Sequence, residues 1–179
     1  MTTKTKKILL VCALALLAAA LLFFGYRKGV ELYNTKNAEE LFSAGDYAGA
    51  RAWYEKNSSA GDIARCDYEL NREAYEAAEA QLAAGEYDAA RLAFEALGDF
   101  EDAADRALEC SFLKARALTD AGSYTGALDV LAVLPEGYAG AEELTEDAKE
   151  GLYQQALAAT YECRMDEAIM LWNNLGSYK

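Results

Sequence analysis

Seventeen consecutive apolar residues, Ile8 to Phe24, stand near the front of the chain behind Lys4, Lys6 and Lys7. After Lys28 the pattern changes: apolar positions recur every three or four residues between polar ones, the period of an amphipathic helix. Counting Gly25 and Tyr26, the apolar run is about long enough to cross a ~30 Å hydrocarbon layer at ~1.5 Å per residue. A cleaved signal peptide ends in small residues before the cut, whereas this core ends in Leu21, Leu22, Phe23 and Phe24. The pattern therefore predicts an uncleaved transmembrane signal anchor over 8–26 behind a basic cytoplasmic tail, 1–7. Only Arg27 and Lys28 follow the span closely, so the positive-inside tendency places the body outside the cytoplasm. From Lys28 to Ala44 there is no proline and no glycine beyond Gly29, and Leu32, Ala38, Leu41 and Phe42 fall at helical spacing. The membrane helix is expected to run almost directly into the first helix of the body.

The body, 28–179, is punctuated by a recurring turn. Gly45-Asp46-Tyr47, Gly85-Glu86-Tyr87 and Gly122-Ser123-Tyr124 are each followed by an alanine, Ala50, Ala90 and Ala127, and then by Tyr54, Phe94 and Leu131. A fourth copy with a degraded turn reads Cys163-Arg164-Met165, then Ala168 and Trp172. Seven residues before each turn stands Ala38, Ala78, Ala115 or Ala156. Glycine at these points supplies the left-handed residue that closes a helix, and Asp46 or Ser123 is placed to cap the next one. The alanines let paired helices approach closely, and the large residue after them fills the space toward the following unit. Such a pair is too small to bury its apolar face alone and must stack on a neighbour. The predicted helices are 28–44, 46–57, 62–84, 86–97, 100–121, 123–133, 138–161 and 165–175. They make four repeats at about 28–61, 62–99, 100–137 and 138–179.

This turn and second helix resemble the tetratricopeptide repeat. More closely, Phe94 to Ala103, FEALGDFEDA, is similar to helical repeats of bacterial, mainly Firmicutes, envelope proteins built on an LGDYKDA-type phrase. Leu175 to Lys179 is similar, and Leu134 to Ala141 is a looser copy. The resemblance implies an all-α protein, an N-terminal transmembrane helix followed by a tetratricopeptide-like α-solenoid of about four helix pairs. The first helix of each pair departs from the tetratricopeptide pattern, keeping mainly the small-residue site, so that family's binding groove is not carried over. The repeat-defining residues are Gly45, Tyr47, Ala50, Gly85, Tyr87, Ala90, Gly122, Tyr124 and Ala127.

Composition agrees with an all-helical body. Of the 179 residues 53% are hydrophobic, much of this alanine, and there is one proline. From Gly25 onward 14 basic residues face 30 acidic ones, a balance of −16, which argues against nucleic acid as a partner. There is no histidine, and Cys12, Cys66, Cys110 and Cys163 contain no CxxC pair, so neither a zinc site nor another cofactor is expected. Cys66 and Cys110 read as small buried hydrophobes. Without histidine, serine and cysteine nucleophiles lack their usual base. Asp99, Glu101, Asp102 and Asp105 cluster where carboxylates favour a helix start. Asn57-Ser58-Ser59 matches a glycosylation sequon whose meaning depends on the compartment.

What is left for function is a surface. Tyr68, Tyr75, Phe112 and Tyr153, with Trp172 and Tyr178 near the end, form a candidate partner surface; inter-repeat packing is the competing use of the same residues. Lys179 falls inside the LGDYKDA-like phrase, where another helix would begin, and Leu171, Trp172, Leu175 and Tyr178 lie on the last helix. This predicts an exposed apolar end, from a truncated reading frame or a protomer contact, and self-association through the C-terminal helix. The sequence thus reads as a non-catalytic, membrane-anchored scaffold that gathers other envelope proteins, with an envelope peptide- or glycan-binding module as the alternative.

Overall fold

In the computed structural model the backbone is described for residues 3–176, and the side chains for Lys4 and for 10–176. The described chain is all-helical, eight helices with no strand. They are α1 (Thr3–Ser43), α2 (Tyr47–Lys56), α3 (Ala60–Ala83), α4 (Tyr87–Leu97), α5 (Ala103–Asp120), α6 (Tyr124–Leu131), α7 (Ala141–Tyr161) and α8 (Met165–Leu175). The apolar run and the first helix of the body are one helix: α1 is 41 residues, roughly 60 Å. Gly25 and Gly29 do not interrupt it. It is long and apolar enough to cross a membrane, and its most apolar stretch is not buried against the rest of the protein. The chain forms two compact units, Met1–Arg72 and Glu73–Lys179.

The four turns close alike. The amide of Asp46 donates to the Leu41 carbonyl at 3.0 Å, Glu86 to Gln81 at 3.0 Å, Ser123 to Leu118 at 2.8 Å and Arg164 to Ala159 at 2.9 Å. Each is the six-to-one bond of a Schellman ending, with a left-handed residue just before the donor. Gly45, Gly85 and Gly122 hold φ of 82°, 78° and 74°, and Cys163 takes the same place at 57°. The degraded fourth turn therefore keeps its geometry with a residue that has a Cβ to strain it. Replacing the exposed Cys163 by glycine is expected to raise stability by about 0.5–1 kcal/mol, the left-handed penalty less the added freedom of the unfolded chain. A thermal midpoint that falls in C163G would contradict this.

Behind the turns the small residues are where close approach requires them. Ala38, Ala78, Ala115 and Ala156 are fully buried, as are Ala50, Ala90 and Ala127, and Ala168 nearly so. In the first unit Ala38, Ala50, Tyr54 and Cys66 form one core. In the second, Ala78, Ala90, Phe94, Ala103, Ala107 and Cys110 form another, and Ala115, Leu131 and Leu144 a third. Gly151 on α7 serves the same end: a Cβ there would lie 2.2 Å from Cζ of Tyr124, whose ring occupies that space.

Several boundaries differ from the sequence reading. α5 begins at Ala103 rather than residue 100 because 100–102 form a turn with Glu101 left-handed at φ 49°. α7 begins at Ala141 rather than 138 because Gly137 and Gly140 are both left-handed. α3 begins two residues early, and α6 stops at Leu131. Of the two proposed caps, Asp46 accepts the Gly49 amide at 2.8 Å. Ser123 makes no side-chain cap bond.

Candidate functional site

The aromatic residues singled out for a partner surface are placed in three ways. Tyr75, Phe112 and Tyr153 are half-buried, Tyr68 is exposed, and Tyr178 lies outside the described residues. Tyr75 meets Phe94 edge to face at 5.2 Å, and its hydroxyl donates to Asp102 Oδ1 at 2.5 Å. That bond, with burial, pushes the phenol up to about 12. Asp102 thus receives a tyrosine from α3 and makes no side-chain cap bond to α5. Phe112 packs on Tyr138 at 5.6 Å, and Tyr153 meets Trp172 at 5.4 Å. In the second unit Tyr75 links α3 to α4, Phe112 links α5 to the connection before α7, and Tyr153 links α7 to α8.

The end of the protein differs from expectation. Leu175 is buried and Leu171 and Trp172 are half-buried, because α7 covers them: the Trp172 indole N–H donates to Thr160 Oγ1 at 3.2 Å while Tyr153 covers its ring. The exposed apolar side chains of α8 are Met165, Ile169 and Met170, with Tyr161 just before them at 82% exposure. Among the described residues the exposed apolar face of α8 is thus made by residues other than Leu171, Trp172 and Leu175.

Two charged stations were not read from the sequence. In the first unit Arg65 lies 4.0 Å from the Phe42 ring centre and donates through Nη2 to Glu39 Oε1 at 3.0 Å and to the Tyr54 hydroxyl at 3.1 Å. Tyr54 in turn donates its hydroxyl hydrogen to Glu39. The Tyr54 hydroxyl and then Arg65 hold the Glu39 carboxyl below its ordinary range, while burial and Glu39 push the Tyr54 phenol up. In the second unit Arg106 lies 5.8 Å from the Phe94 ring, donates through Nε to Glu79 at 2.7 Å, and pairs with Glu109. Glu39 and Glu79 each follow the small-residue site, Ala38 or Ala78, so the recurrence was present in the sequence. It takes a third helix, carrying the arginine, to give it meaning.

The chemistry of these groups is that of packing. The Glu39 carboxylate is held charged, which weakens it as a base, and burial pushes the Cys66 and Cys110 thiols up, away from the nucleophilic thiolate. The side chain of Asn57, in the sequon, is occupied: its Nδ2 donates to the Glu31 carbonyl at 2.9 Å, and its Oδ1 accepts from Asn34 at 2.8 Å.

Open concavities lie in the second unit. One of about 410 Å³ is bounded by α4, α5 and α6, lined by Ala107, Leu108 and Val130 between the charged Arg91, Lys114 and Asp129. Another, about 530 Å³, lies between α5 and the connection to α7, beside Phe112, Arg116 and Tyr138. No protein-family model, characterised protein or solved structure matches this chain.

Proposed function

We propose that the protein is a non-catalytic, membrane-anchored interaction scaffold of a bacterial cell envelope. Residues 8–26 serve as its signal anchor, and a tetratricopeptide-like solenoid of four helix pairs faces away from the cytoplasm. The observation that carries this reading is the recurrence of one helix-pair unit, with the same turn and the same buried alanines, on a chain whose first helix is apolar and uncovered. A stacked array offers an extended surface for other envelope proteins, and the groove of about 410 Å³ between α4, α5 and α6 is one place on it where a partner segment would sit. A second reading, a module for envelope peptide or glycan, draws on the hollow beside Phe112 and Tyr138, where aromatic faces stand next to Arg116.

Crosslinking in intact cells separates the two. The scaffold should capture the same few envelope proteins reproducibly, and protease added outside the cytoplasmic membrane should digest the body. Saturable binding of wall peptide or glycan by the full chain, with no protein captured, would establish the second reading instead. A body protected from external protease would reverse the orientation.

A further inference from the structure

The base of the first unit, where α1 leaves its apolar stretch, carries an arrangement that packing alone does not require. α2 returns alongside α1 so that its last turn is level with residues 31–35: Asn57 Nδ2 donates to the Glu31 carbonyl at 2.9 Å and to Thr35 Oγ1 at 3.0 Å. Trp53 of α2 meets Tyr33 of α1 edge to face at 6.0 Å, and the Lys56 ammonium lies 3.3 Å from the Trp53 ring centre. Below them on α1 are exposed Tyr26, Arg27 and Lys28. The nearby carboxylates have partners, Glu31 in Lys28 at 3.1 Å and Glu55 in Arg51. Arg27 and Lys56 have no ion pair among the described residues. The base is therefore locally cationic on a strongly acidic chain. Residues 27–72 hold 7 basic and 8 acidic side chains, whereas 73–179 hold 7 and 22.

Distances along α1 set the occupant. Tyr33 is seven residues beyond Tyr26, about 10 Å at ~1.5 Å per residue. The headgroup layer outside the hydrocarbon is roughly 5–8 Å thick, and a surface potential reaches about one Debye length, ~8 Å, further. Tyr26 and Arg27 fall within the headgroup layer; Tyr33 and Trp53 stand just outside it, where their side chains can lean back toward it, and the Lys56 charge lies within reach of the surface potential. Aromatic rings with a polar edge and unpaired cations are the side chains that settle in an anionic headgroup layer.

We propose that Tyr26, Arg27, Tyr33, Trp53 and Lys56 form a lipid-facing collar that holds the first helix pair against an anionic membrane surface. This rests on residues 8–26 crossing the bilayer, and continuity with that span makes a membrane, rather than another protein, the occupant. The collar fixes how far the scaffold stands from the membrane.

Trp53 and Trp172 are the two tryptophans, so Trp172→Phe leaves Trp53 as the reporter. The full chain with this change is reconstituted in vesicles of equimolar phosphatidylcholine and phosphatidylglycerol bearing a nitroxide on the lipid headgroup. The protein is expected to float with the vesicles, and Trp53 to lose most of its emission relative to unlabelled vesicles. Adding Arg27→Glu and Lys56→Glu should restore much of it while flotation persists. Flotation without headgroup quenching overturns the collar and leaves the anchor standing; failure to float overturns both. Quenching unchanged in the double-glutamate variant, or equally strong in pure phosphatidylcholine, overturns the recognition of anionic lipid.

Discussion

Replacing Leu14 and Leu17 together by arginine is expected to release the protein from carbonate-washed membranes into the soluble fraction. Both leucines lie near the middle of the apolar run and are 60% and 62% exposed, with nothing among the described residues to cover them. An arginine at the centre of a membrane helix costs about 2.5–3.5 kcal/mol, and each lost leucine forfeits about 0.3–0.6 kcal/mol, so the pair costs roughly 6–8 kcal/mol. The run holds eleven large apolar residues, worth together about 3–7 kcal/mol on the same scale. The balance thus turns against insertion. At i and i+3 the two charges share one side of the helix, which adds repulsion. Arginine is a good helix former, so released protein should keep its helical circular dichroism. If the double variant stayed with the washed membranes, α1 would not be held by crossing lipid.

Phe94→Ala should cost about 3–5 kcal/mol, read from urea denaturation followed by circular dichroism. Phe94 is fully buried among Ala78, Ala90, Ala103, Ala107 and Cys110. These buried neighbours are small and carried on helix backbones, and of the larger side chains packed against them Tyr75 is held by its bond to Asp102, so much of the cavity would remain. Tyr75 would lose its edge-to-face partner, and Arg106 the ring beside its guanidinium. Against a typical stability of about 5–15 kcal/mol the loss is large. Phe94→Leu should recover much of it, since Leu131 stands at the corresponding position after the next like turn and is itself buried. A loss below about 1 kcal/mol in F94A would mean that this ring is not what α4 and α5 are packed around.

The alanines and turn glycines were legible in the chain because each answers a local demand. A left-handed residue must end one helix, and a small residue must stand where two backbones meet, whatever lies beyond. The charged stations were not legible in the same way. Glu39 and Glu79 recur in step with the alanines, but the arginines that meet them lie 26 and 27 residues on, at a spacing that no helical period marks. The acidic cluster before α5 shows the same limit: Asp102 looks like a cap until Tyr75, 27 residues away, is found donating to it.

By itself the sequence determined an all-helical protein with one apolar helix near its N-terminus, four like turns, and small residues at the helix crossings. These follow from periodicity, backbone conformation and volume, which act within a few residues. Only the tertiary structure decided which face of each helix is covered. It buried Leu175 and half-buried Trp172 while leaving Ile169 and Met170 exposed, engaged Asn57 with α1, and brought Trp53 and Lys56 back beside the base of the apolar span. A helix presents apolar residues around much of its circumference, and the neighbour that arrives, rather than the residue's own character, selects those removed from water.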